Sequence, residues 1–281
     1  MLKIGFIDYY LDEWHANNYP EFIKEASAGE MEVAYAYGHI DSPIGGMTTD
    51  EWCAKYQIPR CMSIGELIEK SDVLIVLSPD NCEMHEQLCE LPLRSGKLTY
   101  VDKTFAPDYA TARRIFDNAE AHNTPCYSTS ALRFATEYAD IDRAAIRGIN
   151  LVGPNEFETY AIHQLEPLMM LMQASAKRVM YLPGDGWYTV CVEMTDGRFG
   201  TISGYKSGSP FTYQIAGNGE TVRGEVTSDY FRIFIRNLVE FFRTGKAPVS
   251  HEETLRIMAV RGAGLEAQSH PAEWVAVPEV R

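Results

Sequence analysis

The sequence predicts an α/β protein with an N-terminal doubly wound parallel sheet and a C-terminal α+β domain whose sheet is mostly antiparallel. In residues 1–125, short apolar runs alternate with helical patterns, and residues 72–77 have the unbroken apolar character of a strand covered on both faces. After residue 128 strand patterns dominate, and residues 195–197 and 217–219 contain the Asp-Gly and Asn-Gly pairs typical of hairpins. Two layouts in 281 residues indicate two domains, which we place at 1–125 and 126–281.

Within the first domain, strands are predicted at residues 4–7, 31–37, 72–77, 98–101 and 124–127. Helices are predicted at 21–28, near 83–91 and at 107–122, the last with an apolar stripe of helical period. Thr48 and Ser63 are each followed three residues later by a glutamate, the capping-box pattern that begins a helix. Residues 8–20 are predicted to form a polar loop rich in aromatic residues.

The second domain is predicted to be a largely antiparallel sheet backed by helices. Helices are expected at 131–147, 166–176 and 228–243, with one more that begins at Ser250. Most of residues 150–227 has strand character, and residues 274–280 are predicted to form a closing strand.

Composition excludes several classes of function. A formal net charge of -14 disfavours binding to nucleic acid or to anionic membranes, because both require basic surfaces. The six cysteines form no CxxC pair, which favours free thiols in a reducing compartment. The first strand begins within four residues of Met1 and no apolar run approaches the length of a membrane span. We therefore expect a cytoplasmic globular protein.

Residues 98–107 form the stretch around which the first domain is organised. A predicted strand ends at Asp102 and Lys103, and Pro107 then opens a helix. Residues that follow the carboxyl ends of parallel strands gather along one rim of the sheet, where ligands bind. Lys103 is therefore the first candidate for a catalytic role. Four other polar side chains are predicted along the same rim: His15, His39, Asp41 and His85.

One interpretation of these histidines is that they are hydrogen-bonded loop residues with no catalytic role, and we favour it for His39 and His85. Their spacing does not specify a metal site, and we expect none. In the second domain, His163 is predicted where a strand meets a Met-rich helix. It is either a core histidine or a catalytic imidazole, and Glu166, one helical turn away, could orient its ring.

Several segments resemble one family, the glucose–fructose oxidoreductase, inositol dehydrogenase and MocA-like (Gfo/Idh/MocA) dehydrogenases. Residues 71–79 with His85 are similar to the family's strand, Pro-containing turn and histidine. Residues 96–104 resemble its Gly-Lys, strand and Glu-Lys-Pro signature, with Asp102 for Glu, Thr104 for Pro and Lys103 kept. Residues 162–166 are similar to its His-x-x-Asp segment, and residues 252–256 resemble the start of its C-terminal helix.

The resemblance implies a Rossmann-like dinucleotide-binding domain, a substrate-binding and oligomerisation domain, and hydride transfer between NAD or NADP and a sugar- or polyol-like alcohol. Lys103 would be the base and His163 its helper, since oxidation of an alcohol requires its hydroxyl proton to leave. Five positions would then face the cofactor: Asp8, Tyr10, Ser78, Pro79 and Asp102. Four would contact the substrate: Trp14, His15, His85 and Glu166.

The first loop departs from the family pattern. Its three glycine positions would hold Asp8, Tyr10 and Glu13, which are bulky or anionic beside an anionic pyrophosphate. The chain is also shorter than is usual for the family, and the second predicted strand offers no carboxylate for a ribose. The alternative is a non-redox binding or regulatory protein, or a non-redox enzyme, in which residues 14–19 replace the dinucleotide. We expect weak dinucleotide binding, and an exposed face of the second sheet is compatible with a homo-oligomer.

Overall fold

The computed structural model describes residues 1–280, which form two compact units. The first unit consists of Met1–Thr129 together with Arg232–His251, and the second of Ser130–Phe231 together with the chain from Glu252 onward. A single boundary at 125/126 did not anticipate that residues 232–251 belong with the first unit. Across residues 1–280, no helix combines the length and the apolar character that a membrane crossing requires.

The first unit contains a five-stranded sheet in which every neighbouring pair is parallel. Its strands are β1 (Leu2–Asp8), β2 (Met31–Gly38), β3 (Val73–Val76), β4 (Thr99–Val101) and β5 (Cys126–Tyr127), in the order β2-β1-β3-β4-β5. All residues of β3 and β4 are buried, as predicted for strands covered on both faces. The strand order reverses at β1, so the carboxyl ends of β1 and β3 border the crevice where such sheets bind ligands.

Five helices accompany these strands: α1 (Trp14–Ala26), α2 (Thr49–Tyr56), α3 (Ile64–Lys70), α4 (His85–Cys89) and α5 (Tyr109–Ala121). The predicted loop at 8–20 was wrong beyond residue 13, because α1 begins at Trp14 and contains Pro20 in its interior. The helix forms because Ala16, Tyr19 and Ile23 bury one face of it. The capping box of Thr48 and Glu51 is present at the start of α2, as predicted.

The second unit contains a seven-stranded sheet in which only β6 and β9 pair in parallel. Its strands are β6 (Gly148–Pro154), β7 (Ala176–Gly184), β8 (Trp187–Met194), β9 (Phe199–Tyr205), β10 (Thr212–Ala216), β11 (Thr221–Glu225) and β12 (Trp274–Ala276), in the order β11-β10-β6-β9-β8-β7-β12. Turns at 195–197 and 217–219 join β8 to β9 and β10 to β11, as predicted. The predicted fold class is confirmed.

Helix α6 (Phe157–Met172) packs on β6 and β9 and begins nine residues before the predicted helix at 166. His163 therefore lies within a helix, not at the junction of a strand and a helix. The predicted helix at 131–147 is wrong. Three short 3-10 turns, at 131–134, 136–138 and 143–145, take its place, and Asp142 accepts the backbone N–H of Ala144, a group that a continuous helix would use.

Two further helices follow the second sheet along the chain, α7 (Tyr230–Thr244) and α8 (His251–Gln268). From Arg232 onward, α7 belongs to the first unit. Its apolar face packs on the tyrosines of that unit. The Phe234 ring lies 5.4 Å from Tyr100 and 6.0 Å from Tyr19, and Phe241 lies 4.8 Å from Tyr127, between ring centroids.

Candidate functional site

In the turn between β1 and α1, a glutamate side chain binds the backbone N–H groups at the start of the helix. Glu13 is the N-cap of α1, and its Oε2 accepts the backbone N–H of His15 at 2.7 Å while its Oε1 accepts that of Ala16. The residue is only 8 % exposed. A carboxylate is favourable here because the first N–H groups of a helix have no partner within the helix and carry its positive dipole end.

A second carboxylate, Asp8, lies at the end of β1 and is 1 % exposed. Burial raises the pKa of the Asp8 carboxyl well above its usual range, and the charge of Glu13 adds to this, against hydrogen bonds from the backbone of Tyr9 and Tyr10. Its Oδ2 has no hydrogen-bond partner among residues 1–280. The turn therefore carries two buried carboxylates, one on each side.

His15 connects this turn to the end of β4. Its Nδ1 lies 3.2 Å from Oε2 of Glu13 and 3.3 Å from Oδ2 of Asp102. Asp102 is 1 % exposed, and its Oδ1 accepts the hydroxyl of Tyr100 at 2.9 Å. Of the predicted rim residues, His15 and Asp102 are thus brought into direct contact, with Lys103 next in the chain.

Lys103 is half-buried and follows Asp102 at the carboxyl end of β4. Within residues 1–280, its amine makes neither a hydrogen bond nor an ion pair. Lys97, which precedes the amino-terminal end of β4, instead donates to the backbone carbonyls of Ile68 and Ser71. The two lysines that flank β4 therefore differ in their contacts: the amine of Lys97 is hydrogen-bonded to the backbone, whereas the amine of Lys103 has no partner among residues 1–280.

Three predicted site residues of the β3–α4 region serve the fold. His85 is fully buried, with Nε2 2.5 Å from the carbonyl of Leu77 and Nδ1 3.0 Å from that of Phe105, so both ring nitrogens are occupied. This setting matches the hydrogen-bonded loop residue that we favour for His85, and its contact with a substrate stays a prediction. Ser78 is buried and donates to the carbonyl of Asn81 at 3.0 Å, and Pro79 beside it is half-buried.

Two aromatic residues of the first loop are placed differently from each other. Tyr10 is buried, and burial followed by the charge of Asp80 raises its pKa. Trp14 is 50 % exposed and lies edge-on to His15, with 5.4 Å between ring centroids. Of the two, Trp14 is the one whose ring is open to solvent.

In the second unit, His163 is held by a serine that the sequence analysis missed. The Nδ1 of His163 lies 2.7 Å from the hydroxyl of Ser130, and the ring itself is half-buried. Glu166 was expected to orient this ring, but it accepts the backbone N–H of Ser130 and pairs with Arg133 at 2.7 Å. Arg133 also pairs with Glu253 at 2.5 Å.

Glu166 is therefore buried and ion-paired, and its role as a substrate contact stays a prediction. Neither Ser130 nor Arg133 carried a sequence signal, because Ser130 lies 33 positions from His163, and Arg133 lies 33 positions from Glu166 and 120 from Glu253, outside any spacing rule. The one local hint was the polar run at residues 128–130, which directly follows β5.

No protein-family model matches the chain and no curated protein matches its sequence. Solved structures do match. A probable dehydrogenase from Thermotoga maritima aligns over all of both chains, with a TM-score of 0.81 and 14 % identity. The apo scyllo-inositol dehydrogenase from Lactobacillus casei aligns over 98 % of each chain, with a TM-score of 0.78 and 13 % identity.

GenD2 from gentamicin A biosynthesis, solved in complex with NAD, aligns over 99 % of this chain and 97 % of its own, with a TM-score of 0.81 and 11 % identity. At such identities the likeness shows the fold alone. The structural neighbours are dehydrogenases of the Gfo/Idh/MocA type, and the fold expected from the resemblance is confirmed.

The β1–α1 turn does not fit a dinucleotide in the manner that this fold implies. A pyrophosphate bound there would take the N–H groups at the start of α1 and would need glycines for close approach of the backbone. In this chain the N–H groups of His15 and Ala16 donate to Glu13, Asp8 adds a second carboxylate, and residues 8–13 contain no glycine. Two carboxylates thus stand where the anion of the cofactor would lie.

Proposed function

We propose that this chain binds and acts on a sugar- or polyol-like alcohol, with Lys103 exchanging a proton with one hydroxyl of that molecule and His163 assisting. The observation that carries the proposal is the amine of Lys103, which has no partner among residues 1–280 and follows a buried strand at its carboxyl end. A free amine at hydrogen-bond distance from a hydroxyl is able to accept or return its proton.

The second residue of the proposal has a defined setting of its own. Ser130 holds Nδ1 of His163, and such a contact fixes the orientation of the imidazole. The finer activity is hydride transfer between a nicotinamide cofactor, NAD or NADP, and the alcohol. Support for it comes from the fold, which is shared with an inositol dehydrogenase and with an NAD complex.

The second candidate is a non-redox protein on the same fold, either a binding or regulatory protein or an enzyme that uses no dinucleotide. A specific observation favours it: the carboxylate of Glu13 occupies the helix N–H groups to which a dinucleotide would bind. Because the cofactor does not fit that turn, the proton exchange at Lys103 is the only chemical step we derive.

Titration with myo-inositol and scyllo-inositol, with and without NAD or NADP, tests both candidates. A dehydrogenase forms reduced nicotinamide, and Lys103→Met lowers its turnover by about a hundredfold or more. A non-redox protein binds a polyol by calorimetry without forming reduced nicotinamide. If neither polyol binds the wild-type chain at millimolar concentration, the proposed ligand class is wrong.

We further propose that the protein acts in the cytoplasm, where its six free cysteines would stay reduced. A homo-oligomer that uses the exposed face of the second sheet is proposed as well. Light scattering of the purified chain measures its mass in solution, and a monomeric mass would contradict the second of these proposals.

A further inference from the structure

The turn between β1 and α1 carries anions of its own at the backbone donors that usually receive a phosphate. Glu13 accepts two consecutive N–H groups of α1, those of His15 and Ala16. Asp8, on the other side of the turn, is 1 % exposed and has one carboxylate oxygen without a hydrogen-bond partner among residues 1–280. A carboxylate and a phosphate oxygen compete for the same donors, since both are anionic acceptors.

Hydrogen bonds connect the β1–α1 turn to the rest of the first unit. The Oδ2 of Asp12 accepts the backbone N–H of Met47 at 2.7 Å, and its Oδ1 accepts the side-chain amide of Asn17 at 3.1 Å. The Oδ1 of Asn17 in turn accepts the indole N–H of the buried Trp52 at 2.8 Å. Residues on both sides of Glu13 are therefore fixed by hydrogen bonds of their own, which hold the turn in place around the Glu13 carboxylate.

The charge around the turn also opposes an incoming anion. Asp102 is a third buried carboxylate, and it reaches Glu13 through the imidazole of His15. Like charges repel strongly where water is excluded, and burial, followed by the charges of Glu13 and Asp102, already raises the pKa of the Asp8 carboxyl. Uncharged hydroxyl groups, in contrast, donate hydrogen bonds to carboxylates.

We infer that the buried carboxyl groups of Asp8 and Glu13 take the place of a cofactor pyrophosphate, so that the first unit excludes dinucleotides and admits uncharged hydroxyl compounds. The inference rests on the non-redox candidate of the proposed function, in which no dinucleotide binds, and narrows its ligand to an alcohol without phosphate groups. It assigns to the first loop a role in selecting ligands by charge.

The test compares the wild-type chain with the double variant Asp8→Asn, Glu13→Gln, which replaces both carboxyl groups by amides of nearly the same shape. Glu69→Gln is the matched control, because Glu69 is an exposed glutamate of α3. NADH and ADP are the probes, titrated by fluorescence and calorimetry, and circular dichroism reports folding. The single variant Glu13→Gln provides the same comparison if the double variant does not fold.

We expect no saturable binding of either probe to the wild-type chain or to Glu69→Gln at millimolar concentration. Binding to the charge-removed variant should tighten by about tenfold or more, and high salt should reduce the difference. Micromolar binding of NADH to the wild-type chain would overturn the inference. So would a folded variant with no gain over wild type. Binding of myo-inositol to the wild-type chain is measured separately and reports on the proposed function alone.

Discussion

The two lysines that flank β4 make opposite predictions when each is replaced by methionine. Lys97 is half-buried and donates to the carbonyl of Ser71 at 2.5 Å and to that of Ile68. A hydrogen bond from a charged donor contributes about 1.5–3 kcal/mol when buried. Because Lys97 is partly exposed, we expect Lys97→Met to lower the free energy of unfolding by about 2 kcal/mol.

Lys103→Met removes no hydrogen bond and no ion pair within residues 1–280, so we expect a change in the free energy of unfolding within about 0.5 kcal/mol. Its effect should fall on the alcohol: loss of a positioned base costs about a hundredfold or more in turnover. Lys97→Met should keep its activity per folded molecule.

Urea denaturation measures the first quantity, and calorimetry or turnover with the alcohol measures the second. Lys103 is a structural residue, against this prediction, if Lys103→Met unfolds the chain. If both variants lose activity in proportion to their stability, the amine of Lys103 has no role separate from folding, which also contradicts the prediction.

Three further predictions concern buried or bonded charges. Asp8→Asn should stabilise the protein at pH 7, because the pKa of the Asp8 carboxyl is raised in the fold. Ionisation of this carboxyl therefore opposes folding above pH 3.8, the usual pKa of aspartate. Urea denaturation should show that the gain in the free energy of unfolding disappears below pH 3.8. Although partial burial raises it, hydrogen bonds from Ser228 and Thr227 lower the pKa of Glu137 to about 2 from 4.5. Glu137→Gln should therefore cost about 2 kcal/mol at pH 7, a difference lost as the pH falls from 4.5 to 2, and a constant cost would contradict this origin. Arg133→Met should lower stability by about 3–5 kcal/mol, because it leaves the buried Glu166 without its ion-pair partner, and adding Glu166→Gln should recover part of the lost melting temperature.

The parallel sheet could be predicted because a strand covered on both faces must be apolar throughout, and β3 is. The start of α1 could not. Its N-cap is Glu13, which is not among the usual capping residues, and Pro20 interrupts the helical pattern. The misplaced start also hid the fact that the carboxylate of Glu13 binds the helix itself. The sequence indicates the anion beside the expected pyrophosphate, but not the backbone donors that this anion occupies.

Among the predicted site residues, too, one position follows from the sequence and one contact does not. The position of Lys103 follows from strand length alone, because a buried strand must end where a charge appears. The support for His163 could not be found in this way. Helical spacing pointed to Glu166, whereas the hydroxyl that holds the ring belongs to Ser130, 33 positions away. Side chains that meet through tertiary structure leave no periodic signal in the chain.

The placement of residues 232–251 in the first unit has a consequence for how the protein is made. The aromatic face of α7 covers Tyr100 and Tyr127, so those rings stay uncovered until a segment more than a hundred residues later in the chain has been synthesised. At about 5–20 residues per second, a ribosome takes several seconds or more to reach that segment. During this interval the nascent first unit exposes the apolar surface that α7 will cover. A fragment that ends near residue 125 would keep that surface exposed permanently, and we expect it to aggregate when expressed alone.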